Sequence, residues 1–145
     1  MVDLFKIPGD YPGIVDGSDE APVTRVHRLE RECMGDIGDQ RFFSYLQLHE
    51  FEALLLADLT LLVEQHPNRR REIGELAKRL DQDFESPEHV DRLRPPSHWI
   101  KDAVPEYNKT IDGPITASRI GFPRLRERCP HFGQWLQRLE GLAHA

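Results

Sequence analysis

The run Phe42 to Leu48, FFSYLQL, constrains the fold more than any other stretch, because an extended chain there carries apolar side chains on both faces. Phe42, Leu46 and Leu48 fall on one side, Phe43 and Tyr45 on the other. A strand buried on both sides needs a layer of helices above and below it, so the expected class is α/β. The surrounding pattern supplies such helices. Val23, Val26, Leu29 and Cys33 share one stripe of the segment Pro22 to Met34, and Ile73, Leu76, Ala77, Leu80 and Phe84 share one stripe of Arg71 to Phe84. Val2 to Phe5 reads as a second, short strand, followed by a loop rich in Gly, Pro and Asp from Lys6 to Glu20. After Leu48 the pattern turns helical: Phe51, Leu54 and Leu55 share a face, Asp58 is a candidate cap, and Pro67 closes the run. Residues 86 to 96 are Pro-rich and polar and read as a mobile excursion, with Ser97 as the cap of a short helix through Val104. Gly113-Pro114 opens a helix ending at Gly121, Pro123 starts another, and Pro130 precedes a helical tail with Phe132, Trp135, Leu136, Leu139 and Leu142 on its apolar side.

A chain of 145 residues suits one domain, able to bury roughly 70% of its unfolded surface. The expected division is an α/β part over residues 1–57 and a helical part over 58–145. No stretch approaches the ~18 apolar residues of a membrane span, and the N-terminus lacks a secretory signal pattern, so a cytoplasmic chain is expected. Cys33 and Cys129 are far apart and read as reduced thiols. The net charge of -6 excludes a broadly basic nucleic-acid-binding surface, and any such contact must be local.

Chemistry concentrates where the principal strand ends. His49, Glu50 and Glu52 follow Leu48 directly, at the carboxyl end of a strand where α/β folds bind their ligands. Two carboxylates there suit Mg²⁺ or Mn²⁺, which take hard oxygen ligands, and Asp3 at the end of the other strand adds a third if the strands are neighbours. The competing explanation is that acids in a helix's first turn complement its dipole. Arg69, Arg70 and Arg71 stand at a helix start, where the dipole disfavours them, and read either as phosphate contacts or as a solvated turn. Cys129 beside His131 has no metal-ligand spacing and reads as a buried structural thiol.

Several blocks carry a family resemblance. Asp3-Leu-Phe with Pro8 and Tyr11-Pro-Gly13, then Ile37-Gly-Asp39, the block LQLHEFEALL, Lys109 with Asp112-Gly-Pro114, Ile120-Gly121, and RCPHFGQWL resemble the bacterial Domain of Unknown Function 4276 family over nearly the whole chain. The resemblance implies a TOPRIM-like partial sheet with a mainly helical C-terminal half. It also implies a place beside ATPase genes in phage-defence operons. The activity implied is that of a metal-dependent, nuclease-like protein in which Asp3 and Glu50 hold Mg²⁺ or Mn²⁺ and Glu52 adds a ligand or support. His49 then positions a water or a phosphate oxygen; the nucleic-acid contact expected of Arg69, Arg70 and Arg71 rests on their charge alone. The alternative is a non-catalytic subunit that docks a partner ATPase or itself. The resemblance further leads one to expect an opening strand with a Glu-Gly-x-Thr-Glu motif. Its absence before Asp3 reads as an N-terminal truncation or a mis-assigned start. Ser97-His-Trp-Ile100 also departs from the family's Ser-Lys-Arg-Ile.

Overall fold

The computed structural model describes residues 2–15, 19–90 and 94–143. They form two compact units, residues 1–49 and 50–145.

In the first unit, strand β1 (Val2–Asp3) pairs in parallel with β2 (Leu46–Gln47), with Val2 opposite Leu46 and Asp3 opposite Gln47. Helix α1 (Pro22–Ile37) starts with proline in its first turn, where the missing N–H costs nothing. It stops at Gly38, whose left-handed φ of 66° lets its N–H reach the Met34 carbonyl. Val26 and Leu29 of α1 bury against Leu4, Leu46 and Leu48. Arg28 ties the Gly-Pro-Asp loop to this helix through Glu20 and the Gly13 carbonyl.

The second unit is helical. It contains α2 (Glu52–Leu55), a 3₁₀ stretch over Leu56–Glu64, α3 (Arg70–Asp83), α4 (Pro96–Ala103), α5 (Asp112–Arg128) and α6 (Pro130–Ala143), with 3₁₀ turns at Pro67–Arg69 and Pro87–His89. Leu55, Leu62, Ile73, Ile100 and Val104 are fully buried at its centre. Asp58 leaves helical geometry (φ -154°, ψ 77°), and its carboxylate takes the Thr60 hydroxyl. Gly121 (φ 69°, ψ 162°) breaks α5 just before Pro123, a conformation closed to a side-chain-bearing residue. Among the described residues no helix is long and apolar enough to cross a membrane.

The expected α/β, TOPRIM-like sheet is not what the chain forms: it is mostly helical, and among the described residues the β-structure is a single two-residue parallel pair. The strand expected over Phe42 to Leu48 shrinks to Leu46–Gln47 because its partner is short, the chain turning into a 3₁₀ helix at Leu4–Lys6. Without a partner, Phe42 stays 37% exposed. The expected excursion after Ser86 also differs, since Ser86, Pro87, Glu88 and Val90 are buried. Residues 91–93 of that expectation lie outside the described residues. Glu88 is the reason for the burial. Its carboxylate accepts the N–H groups of His131 (2.9 Å) and Phe132 (3.0 Å), satisfying the first turn of α6 with a negative charge where the dipole favours one. In that helix Phe132 and Leu136 are buried and Trp135 half-buried, while Leu139 and Leu142 are exposed, so the expected apolar stripe buries only its first half.

Candidate functional site

Glu50 and Glu52 converge in the second unit on a residue far along the chain. The Lys109 ammonium lies 2.8 Å from Glu52 Oε2 and 3.3 Å from Glu50 Oε2. Glu52 is fully buried, and its other oxygen accepts a long bond of 3.4 Å from the Tyr107 hydroxyl. Glu50 is less enclosed, and its Oε1 accepts the Ser97 N–H at 2.6 Å. Ser97 belongs to the first turn of α4, so Glu50 neutralises an orphan donor of α4 rather than of the helix that follows it in sequence.

The loop carrying Lys109 is held by its own hydrogen bonds. Asp112 Oδ2 accepts the Asn108 N–H at 2.7 Å and lies 3.0 Å from His66 Nε2, which pins the loop to the end of the Leu56–Glu64 stretch. Asn108 Oδ1 accepts the N–H and hydroxyl of Thr110. Gly113 closes the turn against Tyr107 and Phe51. A Cβ on Gly113 would stand 3.1 Å from the Tyr107 hydroxyl and 3.3 Å from the Phe51 ring, which is the physical reason for glycine in the Asp112-Gly-Pro114 block.

The electrostatics follow from this geometry. Burial alone would raise the Glu50 carboxyl, but the Ser97 bonds and the Lys109 charge outweigh it and hold the group below its ordinary range. Burial likewise opposes the Lys109 charge, and its bonds to Glu52 and Glu50 outweigh that opposition and raise its pKa. The Tyr107 hydroxyl is driven upward by burial and by the Glu52 charge, so it acts as a neutral donor. The cluster thus presents two carboxylates, one ammonium and one phenol, with hard oxygen donors facing a single cation position.

Asp3 and His49 belong to the first unit: Asp3 pairs with Lys6 at 3.6 Å and His49 is buried. Arg69 forks onto Glu106 at 2.9 and 3.1 Å, and Arg71 bonds Glu75 at 2.9 Å, so two of the three arginines already hold carboxylates; Arg70 is exposed. Cys129 is fully buried, and burial pushes its thiol up, away from the thiolate a nucleophile needs. Residue spacing gave no sign of Tyr107 or of Lys109 as the cation of the pair. Lys109 stands 57 residues from Glu52 and marks itself only as part of the family pattern.

The model of the family described as Domain of unknown function (DUF4276) matches residues 1–140, and the chain belongs to that family. No curated protein and no solved structure matches it.

Proposed function

We propose that this member of the family processes nucleic acid by divalent-cation-dependent phosphoester hydrolysis, with Glu50 and Glu52 as the cation's protein ligands. One observation carries the reading: two carboxylates, one of them fully buried, aim at one position that a single ammonium now fills. Mg²⁺ and Mn²⁺ sites of this chemistry use one or two carboxylates and complete their shell with water and substrate phosphate, so the donor set fits. When bound, such an ion polarises the phosphoester and lowers the pKa of its water.

The chain's own residues do the rest. Burial and the Tyr107 hydroxyl fix Glu52, and the Ser97 N–H orients Glu50. Lys109 is half exposed on a flexible stem, so its ammonium is free to leave the carboxylates and meet a phosphate oxygen. The test is cleavage of labelled single- and double-stranded DNA and RNA with Mg²⁺, Mn²⁺ or EDTA, by the wild type, Glu50→Gln and Glu52→Gln. Cleavage that needs the metal and both carboxylates is expected; cleavage equal in EDTA or in the variants, or none at all, refutes the reading.

A second reading, a non-catalytic subunit that docks a partner ATPase or itself, is favoured by the exposed Ile111 just before α5, Ile115 and Phe122 within it, and Leu139 and Leu142 on α6. Sedimentation of the chain over a range of concentrations, alone and with any ATPase encoded beside it, tests it. Replacing Phe122 and Leu142 by Ser should abolish any association seen.

A further inference from the structure

The facing stripes of α3 and α4 enclose an open groove of about 310 Å³, at the small end of the roughly 300–1,000 Å³ usual for ligand pockets. Leu76 and Trp99 form its apolar floor, Glu72 and Glu75 line it from α3, and Asp102 lines it from α4. The indole is held in place: Nε1 donates to the Arg94 carbonyl at 3.2 Å, and Phe84 meets the ring edge-on at 6.1 Å. The ring already serves as a cation platform, with the guanidinium carbons of Arg79 and Arg94 each 4.5 Å from its centroid. Arg94 is committed a second time, through its ion pair with Asp102. Arg79 is not. Its side chain is exposed, and among the described residues it makes no hydrogen bond or ion pair.

We propose that this groove receives an arginine or lysine side chain of a partner protein, and that Arg79 is the internal stand-in which that side chain displaces from the indole. The charge pattern favours a cation once Arg79 leaves, because Glu72, Glu75 and Asp102 then stand against Arg94 alone, which is already paired with Asp102. The volume admits one long basic side chain lying over Trp99 with its head among Glu72, Glu75 and Asp102. Two of these carboxylates are only loosely held: Glu75 pairs with a largely exposed Arg71, and Glu72 lies 4.0 Å from an Arg69 that bonds Glu106 more closely. They are therefore available to an incoming guanidinium, which takes carboxylates in forked geometry. Among the described residues Arg79 has only its stacking to lose, so its departure is easy. The chain's net charge of -6 favours approach of a basic segment from a distance. The inference is independent of Glu50 and Glu52.

The experiment follows the indole N–H signal of Trp99 in the ¹⁵N-labelled full chain, assigned with Trp135→Phe. The probes are the peptide acetyl-Gly-Arg-Gly-amide, its neutral citrulline counterpart, spermidine and inorganic phosphate. A saturable shift with the arginine peptide, at a Kd of about 1 mM or tighter, is expected, with none from citrulline. Glu75→Gln and Asp102→Asn should each weaken binding by about 3- to 10-fold, and Arg79→Ala should tighten it about as much by removing the competitor. The proposal is overturned if neither the wild type nor Arg79→Ala responds to the peptide, or if citrulline binds equally. Spermidine shifting the indole where the peptide does not would make this a small-cation site instead. Phosphate binding that is lost in Arg79→Ala would reverse the sign of the ligand.

Discussion

Replacing Lys109 by Met tests both the electrostatics of the carboxylate cluster and the function proposed for it. Lys109 is the ion-pair partner of a carboxylate with no solvent exposure, 2.8 Å away. Removing one member of a fully buried pair costs about 3–5 kcal/mol, since a charge is left without compensation. The ammonium end of this pair is half exposed, so solvent already screens part of the attraction, and about 1.5–3 kcal/mol is the expected loss. For a chain of this size that lowers Tm by roughly 4–10 °C, measured by circular dichroism at neutral pH in EDTA. Lys109→Met combined with Glu52→Gln should recover much of the loss, because the uncompensated charge is then gone. Mn²⁺ should act in the opposite sense. With the ammonium removed the two carboxylates are open to the ion, and at about a hundredfold excess over Kd the gain is ~2.7 kcal/mol, or roughly 5–10 °C. The wild type should gain less, because the ion must first displace Lys109. Unchanged stability of Lys109→Met would show that Glu52 does not depend on this lysine. A variant destabilised as expected but indifferent to Mn²⁺ would leave the ion pair standing and remove the metal-dependent function.

The pH dependence has two arms. Glu50 is depressed, so its contribution is present above its ordinary value of 4.5 and is lost as pH falls through the lower folded value; Lys109 is raised, so its contribution is present below 10.5 and is lost as pH rises through the higher folded value. Tm against pH should show both arms; the raised Tyr107 hydroxyl and Cys129 thiol also lose stability as pH rises, so Lys109→Met should make the alkaline arm shallower rather than remove it. Glu88→Ala strands two N–H groups at the start of α6, and an expected loss of about 2–3 kcal/mol is read by chemical denaturation; an unchanged midpoint would remove Glu88 as the cap. Changing Arg69, Arg70 and Arg71 together to Ala should leave Tm nearly unchanged, because solvent screens their ion pairs. It should also change the salt dependence of any nucleic-acid binding by at most ~1 unit of slope, whereas a fall of ~2–3 units would mean that all three reach phosphates.

The helices of the chain are legible because their signal is local. The stripe from Ile73 to Leu80 fixes α3, Pro22 marks the start of α1, which runs past the expected end at Met34 to Ile37, and Gly121 with Pro123 marks the break in α5. The strand is not legible in the same way. The two apolar faces of Phe42 to Leu48 say that an extended chain would bury well, but the length of a strand depends on its neighbour, and Val2–Asp3 offers only two residues before the turn at Leu4. The polar stretch after Ser86 misleads for a related reason. Glu88 looks like surface, and it is buried because its carboxylate answers backbone N–H groups 43 and 44 residues away, which no local window contains.

The same long-range logic separates the acids of this chain into two kinds. Glu30 accepts the Leu46 N–H of β2 at 2.7 Å, Glu88 accepts two N–H groups of α6, and Glu50 accepts that of Ser97: each is a buried or partly buried carboxylate answering the main chain, and Glu88 and Glu50 do so at the starts of α6 and α4. Glu52 stands apart. It sits in the first turn of α2, yet its oxygens turn to Lys109 and Tyr107 rather than to backbone N–H groups. A helix of four residues gains little from a dipole partner, and a buried ion pair returns about as much energy as its desolvation consumes. A Gln or Met would fill the same space at less electrostatic cost. The ionised pair is thus poorly explained as a stabilising device, which is what supports the proposed role of Glu52 as a ligand of a divalent cation in exchange with Lys109.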